Sequence, residues 1–323
     1  MDGKRVLVTG LGGELGSRVG AMLEDEPWIG SIAGFDANPP RRRLKRAAFH
    51  LVAADNRDAV VRLVSEFDPH VIVHLGVWEP HARLSTDDAR AATEALGESL
   101  FHACRGARSL ESVVLRSGTE VYGRGGAWPH QPDEHAPPNP ASIFGCMLRD
   151  LEQRAHGLAD ERGTVITVLR CAPVVGPHVP SPLGRLLRLP VVPFNPFGNP
   201  RFSLVEDRDA AEAFVAAART RPRATVNVVA PGTASVLQAA LSGRRVALPV
   251  AGPGWFVARG AATVAGAPIA DHVAELLVHG RCARPGDTAG LLGTEPRHST
   301  TDVIAALYRW PAVVRIVPSR TAA

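Results

Sequence analysis

The stretch Arg5-Val-Leu-Val-Thr-Gly-Leu-Gly-Gly-Glu-Leu-Gly16 decides the fold. Its first five residues are a short apolar, β-branched run of the kind that forms a strand buried on both faces. Gly10, Gly13 and Gly16 then permit a tight turn, close approach of the backbone to a pyrophosphate, and tight packing of a helix on the strand. The helix that follows offers free N–H groups to the phosphates at its first turn. The order of strand, glycine loop and helix predicts a dinucleotide-binding site.

The acidic residue after the second strand indicates which dinucleotide is bound. Ser31–Phe35 reads as a strand, and Asp36 follows it, 26 residues after Gly10. A carboxylate there accepts hydrogen bonds from the adenosine ribose and repels a 2′-phosphate, which favours NAD over NADP. The alternative is an ordinary solvated loop aspartate. Glu14 lies inside the phosphate loop, where a carboxylate is unfavourable, so we expect it to point to solvent or to cap a helix N–H group.

Strands and amphipathic helices alternate through the first half of the chain. A helical apolar spacing begins shortly after Asp55, and Ser85 with Asp88 reads as the start of another helix. Further strands are predicted at 71–75, 112–116 and 164–169. Strands separated by helices of this length predict an α/β fold built on a doubly wound parallel sheet.

Composition and charge argue against several classes of function. The chain of 323 residues has a formal net charge of +4, and its dense basic run, 41–46, lacks the interleaved aromatic residues of a single-strand-binding surface. We expect that run to be a solvated loop and helix start, with a nucleic-acid or anionic-membrane patch as the alternative. The four cysteines are widely spaced and show no zinc pattern, so we expect reduced thiols and no metal site.

The sequence shows no export signal and no membrane span. The N-terminus runs straight into a strand, so no signal peptide is expected. The most apolar late stretch, 246–280, is interrupted by three prolines, Arg259 and Asp271, and lacks the ~20 uninterrupted apolar residues of a spanning helix. We therefore expect a cytoplasmic protein without a transmembrane segment, which binds a small-molecule ligand and no nucleic acid.

In these motifs the chain resembles the extended short-chain dehydrogenases/reductases, the NAD-dependent epimerase/dehydratase family. The matches run in order through nearly the whole chain: Thr9, Gly10, Gly13, Gly16, Asp36, Asp55, His74-Leu75-Gly76, Val121-Tyr122-Gly123, Leu169-Arg170, Gly176-Pro177, 205–213, Asp287, Leu292-Gly293 and Pro296. The resemblance implies a Rossmann-like NAD-binding domain at 1–170. It implies a smaller substrate lobe at 171–323, interleaved with returning Rossmann segments. The residues that would contact NAD are Gly10, Gly13, Gly16, Asp36, Asp55 and Gly76.

The departures from the family lie where its chemistry takes place. Its active-site helix reads Pro-x-Ser-x-Tyr-Gly-x-Ser-Lys, and here Phe144 stands at the tyrosine and Leu148 at the lysine. Its Ser/Thr, four residues before the tyrosine of Val-Tyr-Gly, is Gly118. In the family the tyrosine exchanges a proton, the lysine lowers its pKa, and the Ser/Thr orients the substrate oxygen. The Phe144 ring cannot exchange a proton, and the Leu148 side chain has no charge with which to lower a pKa. With Leu151 and Ala155, these two residues fit one apolar helix face.

Other groups could replace the lost proton-transfer residues. Glu120 stands where sugar 4,6-dehydratases of the same family have a glutamate. Thr119 could offer a hydroxyl one residue after the family's Ser/Thr position. The alternative role for Glu120 is a hydrogen-bonding brace for the loop. Cys146 reads as a small buried residue rather than a nucleophile, because no partner base is identifiable. His130 and His135 lie in a Pro-rich loop, 128–140, expected near the substrate, although loop histidines are usually just exposed.

Three hypotheses follow from this pattern. The first is an NAD(H)-binding protein without ordinary hydride transfer, acting as a sensor or scaffold. The second is an atypical epimerase, dehydratase or oxidoreductase that uses Glu120 or a histidine. The third is a non-redox catalyst with an apolar pocket. The region after residue 170 is rich in proline, leucine and valine, so an apolar ligand fits this lobe as well as a nucleotide sugar does. The sequence is also compatible with a homodimer.

Overall fold

The computed structural model describes residues 3–126, 130–198 and 200–310. The strands are β1 (Lys4–Thr9), β2 (Ile29–Asp36), β3 (Ala48–Leu51), β4 (Val71–His74), β5 (Ser112–Gly118), β6 (Val165–Cys171), β7 (Val174–Val175), β8 (Val191–Phe194), β9 (Arg201–Phe202), β10 (Val205–Glu206), β11 (Ala224–Val228), β12 (Ala234–Ser235) and β13 (Val246–Pro249).

The helices alternate with these strands in the first half and dominate the last third. They are α1 (Glu14–Leu23), α2 (Arg57–Phe67), α3 (Thr86–Gly106), α4 (Ile143–Arg162), α5 (Pro182–Leu187), α6 (Asp207–Thr220), α7 (Val236–Ser242), α8 (Gly254–Val264), α9 (Asp271–His279), α10 (Thr288–Leu292) and α11 (Thr300–Arg309). A 3₁₀ segment, Thr119–Gly126, follows β5.

Seven parallel strands form the main sheet, in the order β11-β6-β5-β4-β1-β2-β3. The chain steps outward from β1 through β2 to β3, then returns to place β4 on the other side of β1. Ligands of doubly wound sheets bind outside the carboxyl ends of the strands at this reversal of strand order. The predicted Rossmann-like α/β fold is confirmed, and it places the glycine loop after β1 at the reversal.

The local signals for strand and helix ends also hold. Helix α3 begins at Thr86, as predicted, because the Ser85 hydroxyl accepts a hydrogen bond from the amide of Asp88 at 3.1 Å. Helix α4 carries the predicted apolar face, since Phe144, Leu148 and their neighbours toward the helix C-terminus are buried.

The basic run 41–46 departs from expectation. It does not start a helix: it is a loop that leads into strand β3. The carboxylate of Glu24 accepts hydrogen bonds from the amides of Lys45, Arg46 and Ala47, at 2.7–2.9 Å. These bonds fix the backbone that precedes the strand, and this tertiary contact cannot be inferred from the local sequence of the run.

The buried apolar residues form two hydrophobic cores. The first lies around the main sheet and includes residues from β11 and α6, which return to it after the chain has entered the second lobe. The second core is built from the segments 175–204 and 234–307. None of the helices in the described ranges has the length and apolarity that a membrane crossing requires.

Candidate functional site

The glycine loop is shaped by close backbone contacts. The amide of Gly10 donates to the carbonyl of Phe35 at 3.0 Å, and Gly10 has a φ of +73°. A Cβ on Gly10 would lie 2.6 Å from the amide nitrogen of Gly76, and one on Gly16 would overlap the carbonyl oxygen of Gly10. A Cβ on Gly13 meets only that carbonyl, at 3.3 Å. Gly10 and Gly16 therefore hold the turn together, whereas Gly13 leaves space that a ligand can use.

A cleft of about 220 Å³ lies over this loop at the carboxyl ends of the strands. It runs from Asp36 at the end of β2, across the loop after β1, to the segment Gly76–Glu79 after β4 and to Arg116 on β5. A dinucleotide lying across the sheet with its pyrophosphate on the glycine loop would have its adenosine at Asp36 and its nicotinamide toward β4 and β5. The predicted residues that line the cleft are Gly10, Gly13, Gly16, Asp36 and Gly76.

Asp55, the remaining predicted cofactor residue, lies elsewhere. It is exposed, between β3 and α2, and is outside the residues that line the cleft. Its contact with the cofactor stays a prediction.

Asp36 is a buried carboxylate at one end of the cleft. It is 8% exposed, and its Oδ1 accepts a hydrogen bond from the amide of Asn38 at 2.9 Å. Burial raises the pKa of Asp36, against the opposing effect of the backbone amides of Asn38 and Gly12. A desolvated carboxylate with free acceptor capacity suits two ribose hydroxyl donors, which would replace the lost water.

Glu14 behaves differently from both expectations. Its carboxylate is buried, so it does not point to solvent, and Gly13 rather than Glu14 occupies the N-cap position of α1. Glu14 Oε1 accepts a hydrogen bond from Arg42 Nη2 at 2.9 Å. The guanidinium from the basic run thus neutralises the carboxylate beside the phosphate loop, which removes most of its repulsion toward a pyrophosphate.

The three replaced family positions come together at the far end of the cleft. Gly118, Phe144 and Leu148 line one small cavity of about 20 Å³, with Glu79, Arg116, Glu120 and Cys171 also on its walls. Burial raises the pKa of the Cys171 thiol to about 12. Phe144 and Leu148 therefore form an apolar wall, while the charged groups come from other elements.

Glu120 fills the space of the missing hydroxyl side chain. A Cβ on Gly118 would overlap Glu120 Oε2. The other carboxylate oxygen, Oε1, accepts a hydrogen bond from Arg281 Nη1 at 2.9 Å, and the side chains of this pair are 6% and 3% exposed. A carboxylate thus stands where the family places Ser/Thr. Thr119 is also buried but does not line the cavity.

Four charged or titratable residues at this end were not singled out from the sequence. Glu79 Oε1 lies 3.0 Å from Nε2 of His272, and the His272 ring packs on Phe144 with centroids 4.9 Å apart. Arg281 Nη2 donates to the backbone carbonyl of His272 at 2.9 Å. Arg116, the fourth, lines both cavities. Glu79 could have been suspected, because it follows the carboxyl end of a central strand; His272 and Arg281 come from the second lobe.

The other sequence candidates lie apart from this cavity. Cys146 is half-buried on the opposite side of α4, in a surface groove with Arg90 and Asp150. His130 and His135 are exposed, and neither lines the cleft or the small cavity. Residues 128 and 129 of their loop lie outside the described residues.

One group in the described ranges has the composition of a metal site: Glu206, Asp209 and His298. His298 Nδ1 lies 2.9 Å from Glu206 Oε2, and Asp209 Oδ2 accepts hydrogen bonds from the amides of Arg297 and His298. Ion pairing and loop hydrogen bonds account for this arrangement.

Two proteins are similar to this chain in sequence. An uncharacterized protein of Mycobacterium tuberculosis (strain ATCC 25618 / H37Rv) is 29% identical over 333 residues, covering 97% of this chain and 86% of its own. The dTDP-L-rhamnose 4-epimerase of Burkholderia thailandensis is 25% identical over 284 residues, covering 69% and 75%.

Solved structures share the fold at low sequence identity. The UDP-glucose 4-epimerase of Thermus thermophilus, in complex with NAD, has a TM-score of 0.73 at 20% identity, covering 96% of this chain and 100% of its own. The UDP-glucose 4-epimerase of Thermotoga maritima, with UDP-glucose, has a TM-score of 0.73 at 18% identity, with coverages of 95% and 98%. The family model of the NAD dependent epimerase/dehydratase family matches residues 6–230. The chain belongs to the NAD-dependent epimerase/dehydratase family, and NAD is its cofactor.

Proposed function

We propose that the protein binds NAD(H) without running the family's ordinary hydride-transfer cycle, and that occupancy of the cleft serves as a signal to the second lobe. The observation that carries this proposal is that Gly118, Phe144 and Leu148, which replace the family's catalytic groups, all line one cavity at the end of the cleft. The space of about 20 Å³ between these side chains holds roughly one water molecule. Its apolar wall also lacks the phenol and ammonium groups of the usual proton transfer.

Binding and turnover are tested separately. Isothermal titration should give saturable binding of NAD, weaker binding of NADP, and loss of the difference in Asp36→Ser, because the carboxylate repels a 2′-phosphate. Tighter binding of NADP than of NAD by the parent protein would refute the role of Asp36. With NAD bound, UDP-glucose, UDP-galactose and dTDP-glucose should produce neither a lasting change at 340 nm nor an epimerised or dehydrated sugar. Turnover of any of them would refute the silent-cofactor proposal.

A second candidate function rests on Glu120. Its Oε2 atom occupies the place of the family's Ser/Thr side chain and lines the cavity, so it could exchange a proton with a substrate oxygen there. This would make the protein an atypical epimerase, dehydratase or oxidoreductase, acting on a nucleotide sugar or an apolar substrate. The Arg281 ion pair fits equally the role of a brace.

Glu120→Gln separates these two roles. The amide oxygen of glutamine can still accept the hydrogen bond from Arg281, so fold and NAD binding should persist in this variant. Any turnover that the parent protein shows should then disappear. Turnover that survives the substitution would refute Glu120 as the proton-transfer group. Turnover that persists after NAD has been removed from the protein would instead favour the third hypothesis, a non-redox catalyst.

A further inference from the structure

We infer that the Glu79–His272 pair transmits occupancy of the cofactor cleft to helix α9 of the second lobe. The inference rests on the proposed function, and it names the side chains through which the second lobe would respond to the cofactor. Glu79 is the side chain that connects the two parts: it lines the cofactor cleft and the small cavity, and it contacts α9 through Nε2 of His272 at 3.0 Å.

The segment that carries Glu79 is held on the side of the sheet. The amide of Trp78 donates to Thr93 Oγ1 at 3.1 Å, and Arg116 Nη1 donates to the carbonyl of Val77 at 3.2 Å. Gly76, Val77 and Trp78 all line the cleft. A dinucleotide at the nicotinamide end therefore packs against a fixed backbone, and the Glu79 side chain is the part of this segment that reaches the second lobe.

The α9 side of the contact is buried and well supported. The side chain of His272 is 4% exposed, packs on Phe144, and its backbone carbonyl accepts the hydrogen bond from Arg281. Arg281 in turn pairs with Glu120. Two contacts of a carboxylate thus cross between the lobes beside this cavity, and in both the carboxylate, Glu79 or Glu120, belongs to the sheet domain. A further ion pair, Arg124–Glu275, reaches α9 at the surface.

The two contacts differ in their access to the cleft. The Glu120–Arg281 pair is buried, whereas the side chain of Glu79 is 26% exposed. A ligand that covers Glu79 removes water from this partly hydrated carboxylate. Because electrostatic attraction is stronger where water is excluded, the bond from Glu79 to His272 should then strengthen and hold α9 more firmly. By reciprocity, loss of the bond should weaken NAD binding.

Hydrogen exchange of the α9 amides tests this coupling in the full-length protein. Saturating NAD should slow exchange across 271–279 on the order of tenfold, the effect of a charge-assisted hydrogen bond. His272→Leu keeps an apolar group against Phe144 and should reduce the effect of NAD to less than about twofold. His272→Gln restores an N–H donor near the position of Nε2 and should recover much of it.

Matched controls separate the pair from general loosening of the lobe. His279 lies on the same helix, and its carboxylate contact, Glu275, is also on that helix. His279→Gln should therefore leave the NAD effect unchanged. Glu79→Ala removes the other partner without touching the buried ring, and should match His272→Leu. Helix α11, in the same lobe, reports any change of the whole second lobe.

Three results would overturn the inference. NAD binding by calorimetry with no slowing at α9 would refute it and leave the proposed cofactor binding intact. Slowing that persists in both His272→Leu and Glu79→Ala would show that another contact carries the signal. Failure of NAD to bind the parent protein would refute the proposed function itself, and the inference with it.

Discussion

Replacing Arg281 by leucine should expose how strongly the second lobe depends on its buried ion pair. The guanidinium and the Glu120 carboxylate lie 2.9 Å apart, and their side chains are 3% and 6% exposed. Removing one partner of such a pair leaves an uncompensated buried charge, which costs about 3–5 kcal/mol of unfolding free energy. Arg281 also donates to the carbonyl of His272, and losing that bond adds to the cost.

A comparison of single and double variants checks the origin of this cost. Urea unfolding, followed by far-UV circular dichroism, should show Arg281→Leu unfolding at clearly lower urea than the parent. Glu120→Leu combined with Arg281→Leu should regain part of the loss, since no charge is then left buried. A loss below about 1 kcal/mol for Arg281→Leu would mean that water reaches Glu120. A double variant less stable than Arg281→Leu would also refute the argument.

Three further predictions concern the cleft. Gly13→Val should abolish NAD binding by calorimetry while thermal unfolding changes little, because its side chain would enter the cofactor's space; retained binding would contradict the assignment. Gly118→Ser should lower the midpoint of thermal unfolding, because its Cβ overlaps Glu120 Oε2, and it should lower the midpoint less when introduced into Glu120→Ala than into the parent protein; an unchanged midpoint in the parent would argue against the overlap. Burial raises the pKa of Asp36 above its ordinary value. In the cofactor-free protein, Asp36 therefore contributes to folding stability at pH values below its ordinary pKa. This contribution is lost as the pH rises through the raised pKa. NAD affinity should fall as pH drops through the same window, and Asp36→Asn should remove this dependence, measured by titration between about pH 4 and 7.

The first half of the fold was readable because its signals are local. A buried β-branched run, a glycine loop and an amphipathic helix each follow from a few consecutive residues, and their alternation permits few topologies. The same reasoning missed strand β3, whose residues are mostly exposed. The loop that leads into β3 is held by Glu24, a residue that is distant in sequence.

The roles of the acidic residues could not be read in the same way. Glu14 and Glu120 are both buried carboxylates next to the cofactor cleft or its small cavity. Each is neutralised by an arginine remote in sequence, Arg42 for Glu14 and Arg281 for Glu120. Whether a buried carboxylate is tolerable depends on that partner, and the partner is set by folding.

The sequence by itself determined most of the sheet, the glycine loop, the acidic residue at the end of β2 and the loss of the usual proton-transfer groups, because each is a matter of residue type at a local spacing. Only the tertiary structure decided what stands in their place. Glu79 and Glu120 belong to the sheet domain, whereas His272 and Arg281 belong to the second lobe. Glu79 and His272 are 193 residues apart in the sequence. Their contacts depend on how two separately packed cores meet, and no local pattern in the chain specifies that.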